Sequence, residues 1–146
     1  MMTMASDAPD ACAFCDIVAG RTPATIVASD ALTVAFLDLR QFHPGHVLVV
    51  PRAHVPTLSD MPPAALGPLF AAVQRVARAV EAGLGADGTF VAMNNKVSQS
   101  VPHLHVHVVP RRKKDGLRGF FWPRVPYADD AEREAFAEKI RSALSG

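Results

Sequence analysis

The chain has 146 residues, one domain's worth, and is 49% apolar against 20% charged. A chain of this length buries roughly 68–70% of its unfolded surface, so a core can form without disulfides, and the composition argues against intrinsic disorder. Its formal charge of +1 gives no bulk attraction to nucleic acid or to an anionic membrane. No apolar run is long enough to span a bilayer, and residues 1–10 are acidic without an apolar signal segment. A soluble, cytoplasmic protein with no nucleic-acid or membrane partner is the expectation.

After a flexible tail over residues 1–11, the run from Phe14 to Gly20 reads as a short helix stopped by Gly20 and Pro23. Two β-rich runs follow, Ile26–Ala28 and Thr33–Leu37, separated by the turn-like Ser29-Asp30. Val47–Pro51 reads as a fully buried strand entered through Pro44-Gly45. Between Ser59 and Gly85 the period changes: Leu66, Leu69, Phe70, Val73, Val76, Ala77, Val80 and Leu84 recur at helical spacing. Ser59 or Asp60 suits the cap of that helix, Pro62 or Pro63 its first turn, and Gly83 and Gly85 its left-handed stop. Pro68 lies one turn inside, which argues for a later start. Strands are expected at Phe90–Asn94 and His103–Val109, the latter ended by Pro110. A last helix spans Asp130 to Leu144, with Asp129 and Glu132 placed as a capping box. Paired strands, one long helix and further strands predict an α+β domain with a largely antiparallel sheet of about five strands.

The unusual feature is the placement of six histidines and two cysteines. All the histidines lie between His43 and His107, and the cysteines stand three apart as Cys12-Ala-Phe-Cys15. His103-Leu-His105-Val-His107-Val108 alternates strictly, so a strand would turn all three imidazoles to one face and Leu104, Val106 and Val108 to the core. An exposed polar edge explains this poorly, because half of the chain's histidines fall within five residues. Two chemical readings compete: three histidines as ligands of a catalytic metal, or one imidazole as a nucleophile whose neighbours bind an anion and a leaving group.

The flanking residues favour the second. Gln99-Ser100-Val101-Pro102 precedes the run and Pro110-Arg111 closes it, so that Gln-x-Val-x-His-x-His-x-His, two apolar residues and Pro resembles the histidine triad (HIT) family of nucleotide hydrolases and transferases. Three more segments, Cys12–Gly20, Ala35–Leu39 and Pro44–His54, occur in that family's order and are similar to its Hint-like bacterial branch. The resemblance covers roughly residues 12–111. It implies a HIT-like fold as a single domain over 12–146, with a C-terminal extension from about residue 112.

The resemblance implies that His105 takes a nucleotidyl group from the α-phosphorus of a purine nucleoside 5′-phosphate derivative, through a covalent histidine intermediate. His107 would bind the phosphate and help protonate the departing group, and His46 would support both from a neighbouring strand. Gln99 and Ser100 match residues that face the phosphate, Asp38 the carboxylate that binds the ribose, and Asn94 or its neighbour Asn95 a ribose or phosphate contact. Phe14, Ile17, Phe36 and Leu39 match apolar walls around the base, although each suits a plain core equally. In several bacterial relatives a Cys-x-x-Cys and two histidines hold a structural zinc; here the matching ligands are Cys12, Cys15, His54 and His103. A thioredoxin-like redox pair is the competing reading of the cysteines, and it lacks the βαβ setting it needs.

Phosphoramidates are the favoured substrates by this likeness. A dinucleoside-polyphosphate hydrolase or phosphorylase is the alternative, and a nucleotide-binding or partner-binding module with little turnover is the non-enzymatic one. A homodimer is expected on the same analogy. The chain departs from its relatives at Asn94-Asn-Lys-Val-Ser-Gln99, where they carry glycines and this sequence has none; Ser98 stands where the last glycine falls. Lys96 is expected to be a solvated loop lysine, Arg111–Lys114 a solvated charge run, and His43 a surface residue. Gly116–Arg124, with the only Trp, is expected to border the leaving group or a subunit interface.

Overall fold

The computed structural model describes residues 11–117 and 122–144. The expected tail, apart from Ala11, lies outside the described residues, as do Arg118, Gly119, Phe120 and Phe121 of the aromatic segment. The chain forms two compact units, one ending at Asp115 and the other starting at Gly116. No helix among the described residues is long and apolar enough to cross a membrane.

The first unit is built on five strands: β1 (Ile26–Ser29), β2 (Thr33–Leu37), β3 (Val47–Pro51), β4 (Gly88–Ala92) and β5 (Val106–Arg111). They form one sheet in the order β1-β2-β3-β5-β4, with every neighbouring pair antiparallel. The α+β class and the five-stranded sheet expected from the sequence are therefore found. Helix α1 (Ala13–Val18) covers one face and helix α2 (Pro63–Leu84) the other.

Alternation along β2 and β3 sorts the side chains between these faces. Ala35, Val47 and Val49 pack with Val106, Val108, Leu104 and the α2 residues Leu69, Ala72, Val73, Val76 and Val80. Val34, Phe36, Leu48 and Val50 pack on the other side with Cys12 and Phe14. Leu69, Leu104, Val49 and Val106 are fully buried. Each large aliphatic of this kind contributes about 1.5–3 kcal/mol by leaving water.

Several boundaries differ from expectation. Helix α2 does start at Pro63 and carries Pro68 internally, but its N-cap is Pro62, which makes no side-chain cap bond. Asp60 instead closes the short 3-10 turn Leu58–Asp60, accepting the Thr57 hydroxyl at 2.6 Å and its amide at 3.1 Å. Gly85 is the left-handed cap (φ 63), and Gly83 remains within the helix. Strand β4 begins two residues early because Gly88 and Thr89 pair with Arg111 and Pro110, carrying β5 past its proline.

Strand β5 begins at Val106 and not at His103, and the reason lies in Pro51. The register pairs Val47 with Val108 and Val49 with Val106, which brings Pro51 opposite Leu104, and a proline has no N–H to extend a ladder. The chain turns away there: Leu104 N–H donates to Val55 O at 2.7 Å and His103 N–H to Val101 O at 2.8 Å.

In the second unit, helix α3 (Asp130–Leu144) follows a stretch in which Tyr127 packs on Phe136, ring centroids 5.8 Å apart. Asp129 accepts the Glu132 amide at 2.8 Å, as a cap should. Glu132 returns its bond to Ala128 N–H at 2.8 Å, one residue before the reciprocal partner of a capping box.

Candidate active site and metal-ligand cluster

The break before Val106 splits the histidine run between two places. His103 turns its ring to the cysteines. His105 and His107 stay together on the α1 face, ring centroids 5.1 Å apart, with His107 beside Leu48 across the ladder. The single row of three imidazoles expected from alternation is thus not what the backbone builds.

The protons on these rings follow from their partners. Nδ1 of His105 lies 2.8 Å from the carbonyl oxygen of His103, which can only accept. His105 therefore carries its proton on Nδ1 and keeps a lone pair on Nε2. The backbone N–H of Phe42 donates to Nδ1 of His46 at 3.3 Å. That places the His46 proton on Nε2, from which it donates to Nδ1 of His107 at 2.9 Å. Neutral His107 is then left with N–H at Nε2. Two adjacent rings thus present opposite functions: a lone pair from His105 and a donor from His107.

Burial keeps the supporting pair neutral. His46 is fully buried, and desolvation holds its pKa below the usual histidine value despite the Asp38 carboxylate, 3.6 Å away. Burial, with His105 and His46 beside it, pushes His107 down to about 4. Asp38, just past the end of β2, points one carboxylate oxygen at His46 and with the other accepts the Arg40 amide at 2.8 Å. Asp38, His46 and His107 bring donor atoms close enough to hold a metal, yet the Phe42 amide commits the His46 Nε2 position to a proton. His105 belongs to neither close donor set found among the described residues, so a metal ligated by His105 and His107 finds no support.

Phe14, from α1, sets its ring edge against His105 at 4.9 Å, His103 at 6.0 Å and Phe36 at 5.5 Å. Phe14 and Phe36 are buried and Ile17 is packed against the same cluster. Leu39 is 81% exposed. Phe42, which sequence reasoning passed over, is 77% exposed and lies nearly parallel over His46, centroids 5.5 Å apart and planes 13° from one another. Its one sequence signal is position, four residues before His46 across a Pro-Gly turn. His43, partly buried, gives its carbonyl to the His46 amide at 3.1 Å.

The loop without glycines adopts glycine-like backbone all the same: Lys96 (φ 71) and Ser98 (φ 61) are both left-handed. Each non-glycine residue there costs about 1–2 kcal/mol, so other contacts must hold the loop. Gln99 accepts the Lys96 amide at 2.9 Å and donates to Pro56 O at 2.6 Å, while Asn94 donates to Ser98 O at 3.2 Å. Asn95 accepts the Leu58 amide at 2.8 Å. Gln99 and Asn94 thus spend their amides on the loop, and Ser100 is exposed at its end.

Cys12, Cys15, His54 and His103 form the second cluster. Their donor atoms lie within 4.8 Å of one another. Cys12 Sγ is 3.5 Å and Cys15 Sγ 3.6 Å from His103 Nδ1, and Cys15 Sγ is 3.3 Å from His54 Nδ1. Ligands of a tetrahedral zinc at ~2.3 Å (S) and ~2.1 Å (N) sit about 3.6 Å apart along an S···N edge, so the set fits such an ion. Nε2–H of His103 donates to Pro51 O at 2.8 Å, which leaves Nδ1 as the ligating atom and supplies the outer hydrogen bond typical of a metal-bound histidine. Burial and the neighbouring Cys12 push the Cys15 thiol up to about 11; a cation is what this pair of sulfurs would need to ionise together.

The HIT domain family model matches residues 19–114. The adenosine 5′-monophosphoramidase hnt1 of Schizosaccharomyces pombe is 31% identical over 135 residues, covering 91% of this chain and 98% of that one. SMU.412c of Streptococcus mutans has a crystal structure with a TM-score of 0.86 and 36% identity, covering 94% of this chain and 88% of that one. A zinc-bound histidine triad family protein from Mycobacterium smegmatis aligns at a TM-score of 0.70 and 39% identity, over 90% and 96% of the two chains.

Proposed function

The chain belongs to the HIT family, and on that footing we propose that it is a nucleotidyl hydrolase or transferase acting on purine nucleoside 5′-phosphate derivatives, phosphoramidates above all. The observation that carries this reading is the pair of fixed tautomers: His105 with Nδ1–H on the His103 carbonyl, and His107 with Nδ1 filled by His46.

His105 Nε2 attacks the α-phosphorus as the bond to the leaving nitrogen breaks. The positive charge that grows on the ring is stabilised through Nδ1–H by the His103 carbonyl. His107 Nε2–H hydrogen-bonds the phosphate and the departing nitrogen, which takes a proton from solvent and leaves as the neutral amine; the attacking water later returns that proton to solvent. Water or another acceptor then takes the nucleotidyl group from His105 and restores it. Asp38 binds the ribose, and Phe14, Ile17, Phe36 and Leu39 line the base. Ser100, Gln99 and Asn94 border the phosphate, the last two by shaping its loop. The phosphoramidase activity named for the Schizosaccharomyces pombe relative supports the choice of substrate.

Cys12, Cys15, His54 and His103 hold a structural zinc in this reading, supported by the donor spacing and by the zinc-bound relative. The working form is one HIT domain over 12–146 with a C-terminal extension from about residue 112, whose residues from Gly116 form a compact unit of their own; it is cytoplasmic and homodimeric, with no nucleic-acid or membrane partner. The end position of β4 in the sheet makes an edge available for pairing two copies.

A panel of adenosine and guanosine phosphoramidates and dinucleoside polyphosphates, run on wild type and His105→Asn, tests the function. Turnover of the phosphoramidates that the substitution abolishes is expected. Full turnover by His105→Asn would remove His105 as the nucleophile, and AMP binding without any turnover in wild type would leave a binding module.

A further inference from the structure

The nucleophile and the cysteine cluster are joined twice. The first link is His103 itself. Its ring lies among the sulfurs, its Nε2–H is held by Pro51 O at 2.8 Å, and its carbonyl receives the His105 proton at 2.8 Å. Any rotation of the His103 backbone that frees the ring from the sulfurs also moves the carbonyl that fixes the His105 tautomer. The second link is Phe14. It stands between Cys12 and Cys15 in sequence, and its ring edge lies 4.9 Å from His105. Cys12 also caps α1 by accepting the Cys15 amide at 3.3 Å, so the cysteines fix the helix that carries this ring.

From these contacts we infer that the Cys12–Cys15–His54–His103 cluster is a positioning site for the nucleophile: a dication bound there sets the ring orientation and tautomer of His105. The four ligands come from α1, from the loop after β3 and from the segment before β5. A bound dication holds those three segments together. Thiols and imidazoles alone are joined by weak, exchangeable S–H···N contacts. Without the ion, the His103 carbonyl and the Phe14 ring lose two of the constraints that orient them, and His105 can place its proton on either nitrogen. Losing a clamp that merely stabilised the fold would lower the melting temperature and leave the tautomer untouched. The catalytic consequence rests on His105 being the nucleophile; the positional relation does not.

Imidazole nitrogen NMR on the full chain without nucleotide reads the tautomer directly, with His105→Asn identifying the His105 signals. Zinc-loaded wild type should show His105 with its proton on Nδ1 alone. Chelation, under conditions where the sheet amides keep their positions, should make His105 exchange between tautomers, and added zinc should restore the single form. Cys15→Ser should behave as the chelated protein, whereas Cys15→His, which keeps a zinc-ligating atom, should retain both metal and tautomer. In parallel, kcat for an AMP phosphoramidate should fall about 10–100-fold on zinc removal, the range for losing an outer hydrogen-bond partner, with KM little changed. A chain that takes up no stoichiometric zinc, or a His105 tautomer that survives zinc removal in the folded protein, overturns the inference. A zinc-loaded protein that turns over no nucleotide yet shows the zinc-dependent tautomer supports the positional relation and removes the catalytic reading alone.

Discussion

Nε2–H of His46 donates to Nδ1 of His107 across 2.9 Å, sixty-one residues apart in sequence. This bond, and not the His107 side chain by itself, determines which face of the His107 ring donates toward the phosphate. His46→Leu fills the buried position with an apolar side chain and frees His107 Nδ1 to take a proton. A kcat loss of about 10–100-fold with little change in KM is expected, measured on a phosphoramidate substrate. A variant with unchanged kcat would mean that His107 does not act through this tautomer.

The depressed His107 pKa ties stability to pH. The unfolded ring takes up its proton near 6.5, and the folded one only at about 4. Below 6.5 the unfolded state binds more protons, so this contribution to stability is complete above that value and is lost as pH falls from 6.5 toward 4. Urea midpoints measured across that window should decline with acid. His107→Asn should show a shallower decline, and an identical slope in both proteins would assign the effect to other groups.

Zinc bound only by the folded chain should raise its melting temperature, with the logarithm of free zinc once that exceeds Kd. Chelation of wild type should lower the melting temperature, and Cys12→Ser should both lack the metal and melt like the chelated protein. Unchanged zinc stoichiometry in Cys12→Ser would break the four-ligand assignment.

Lys96 and Ser98 hold left-handed backbone with φ 71 and 61. Glycine at either position removes a steric cost of about 1–2 kcal/mol and adds about 0.5–1 kcal/mol of unfolded-state entropy. Each substitution should therefore raise stability by up to about 1 kcal/mol in denaturant titration. A loss of stability in Lys96→Gly or Ser98→Gly would show that the side chain contributes to holding the loop. Gln99→Ala, which removes the bonds to the Lys96 amide and the Pro56 carbonyl, should destabilise the loop in the wild-type background more than in the Ser98→Gly one.

Much of the fold was legible along the chain. The helical spacing from Leu66 to Leu84 and the apolar run Val47–Pro51 each marked an element that the structure contains. The spacing Cys12-Ala-Phe-Cys15 also marked the cysteine pair, although its histidine partners came only with the family resemblance. The strand boundaries were less legible, since β4 begins where its pairing with β5 begins, and pairing is not written in either strand alone. Phe42 escaped notice for a related reason: it acts through its backbone amide, which every residue but proline possesses.

The sequence by itself determined the α+β class, the five strands and the set of side chains able to do chemistry, because periodicity and residue type are local properties. It also supplied the alternation that keeps Leu104, Val106 and Val108 in the core. Only the tertiary structure decided how the three histidines divide their work. Pro51 cannot continue the ladder opposite Leu104, so the chain breaks there and His103 turns to the sulfurs, while His105 and His107 remain over the α1 face. Which ring nitrogen carries each proton was decided in the same way, by a carbonyl, an amide and a second imidazole that arrive from elsewhere in the fold. A histidine's tautomer depends on its hydrogen-bond partners, and for His107 that partner is distant in the chain.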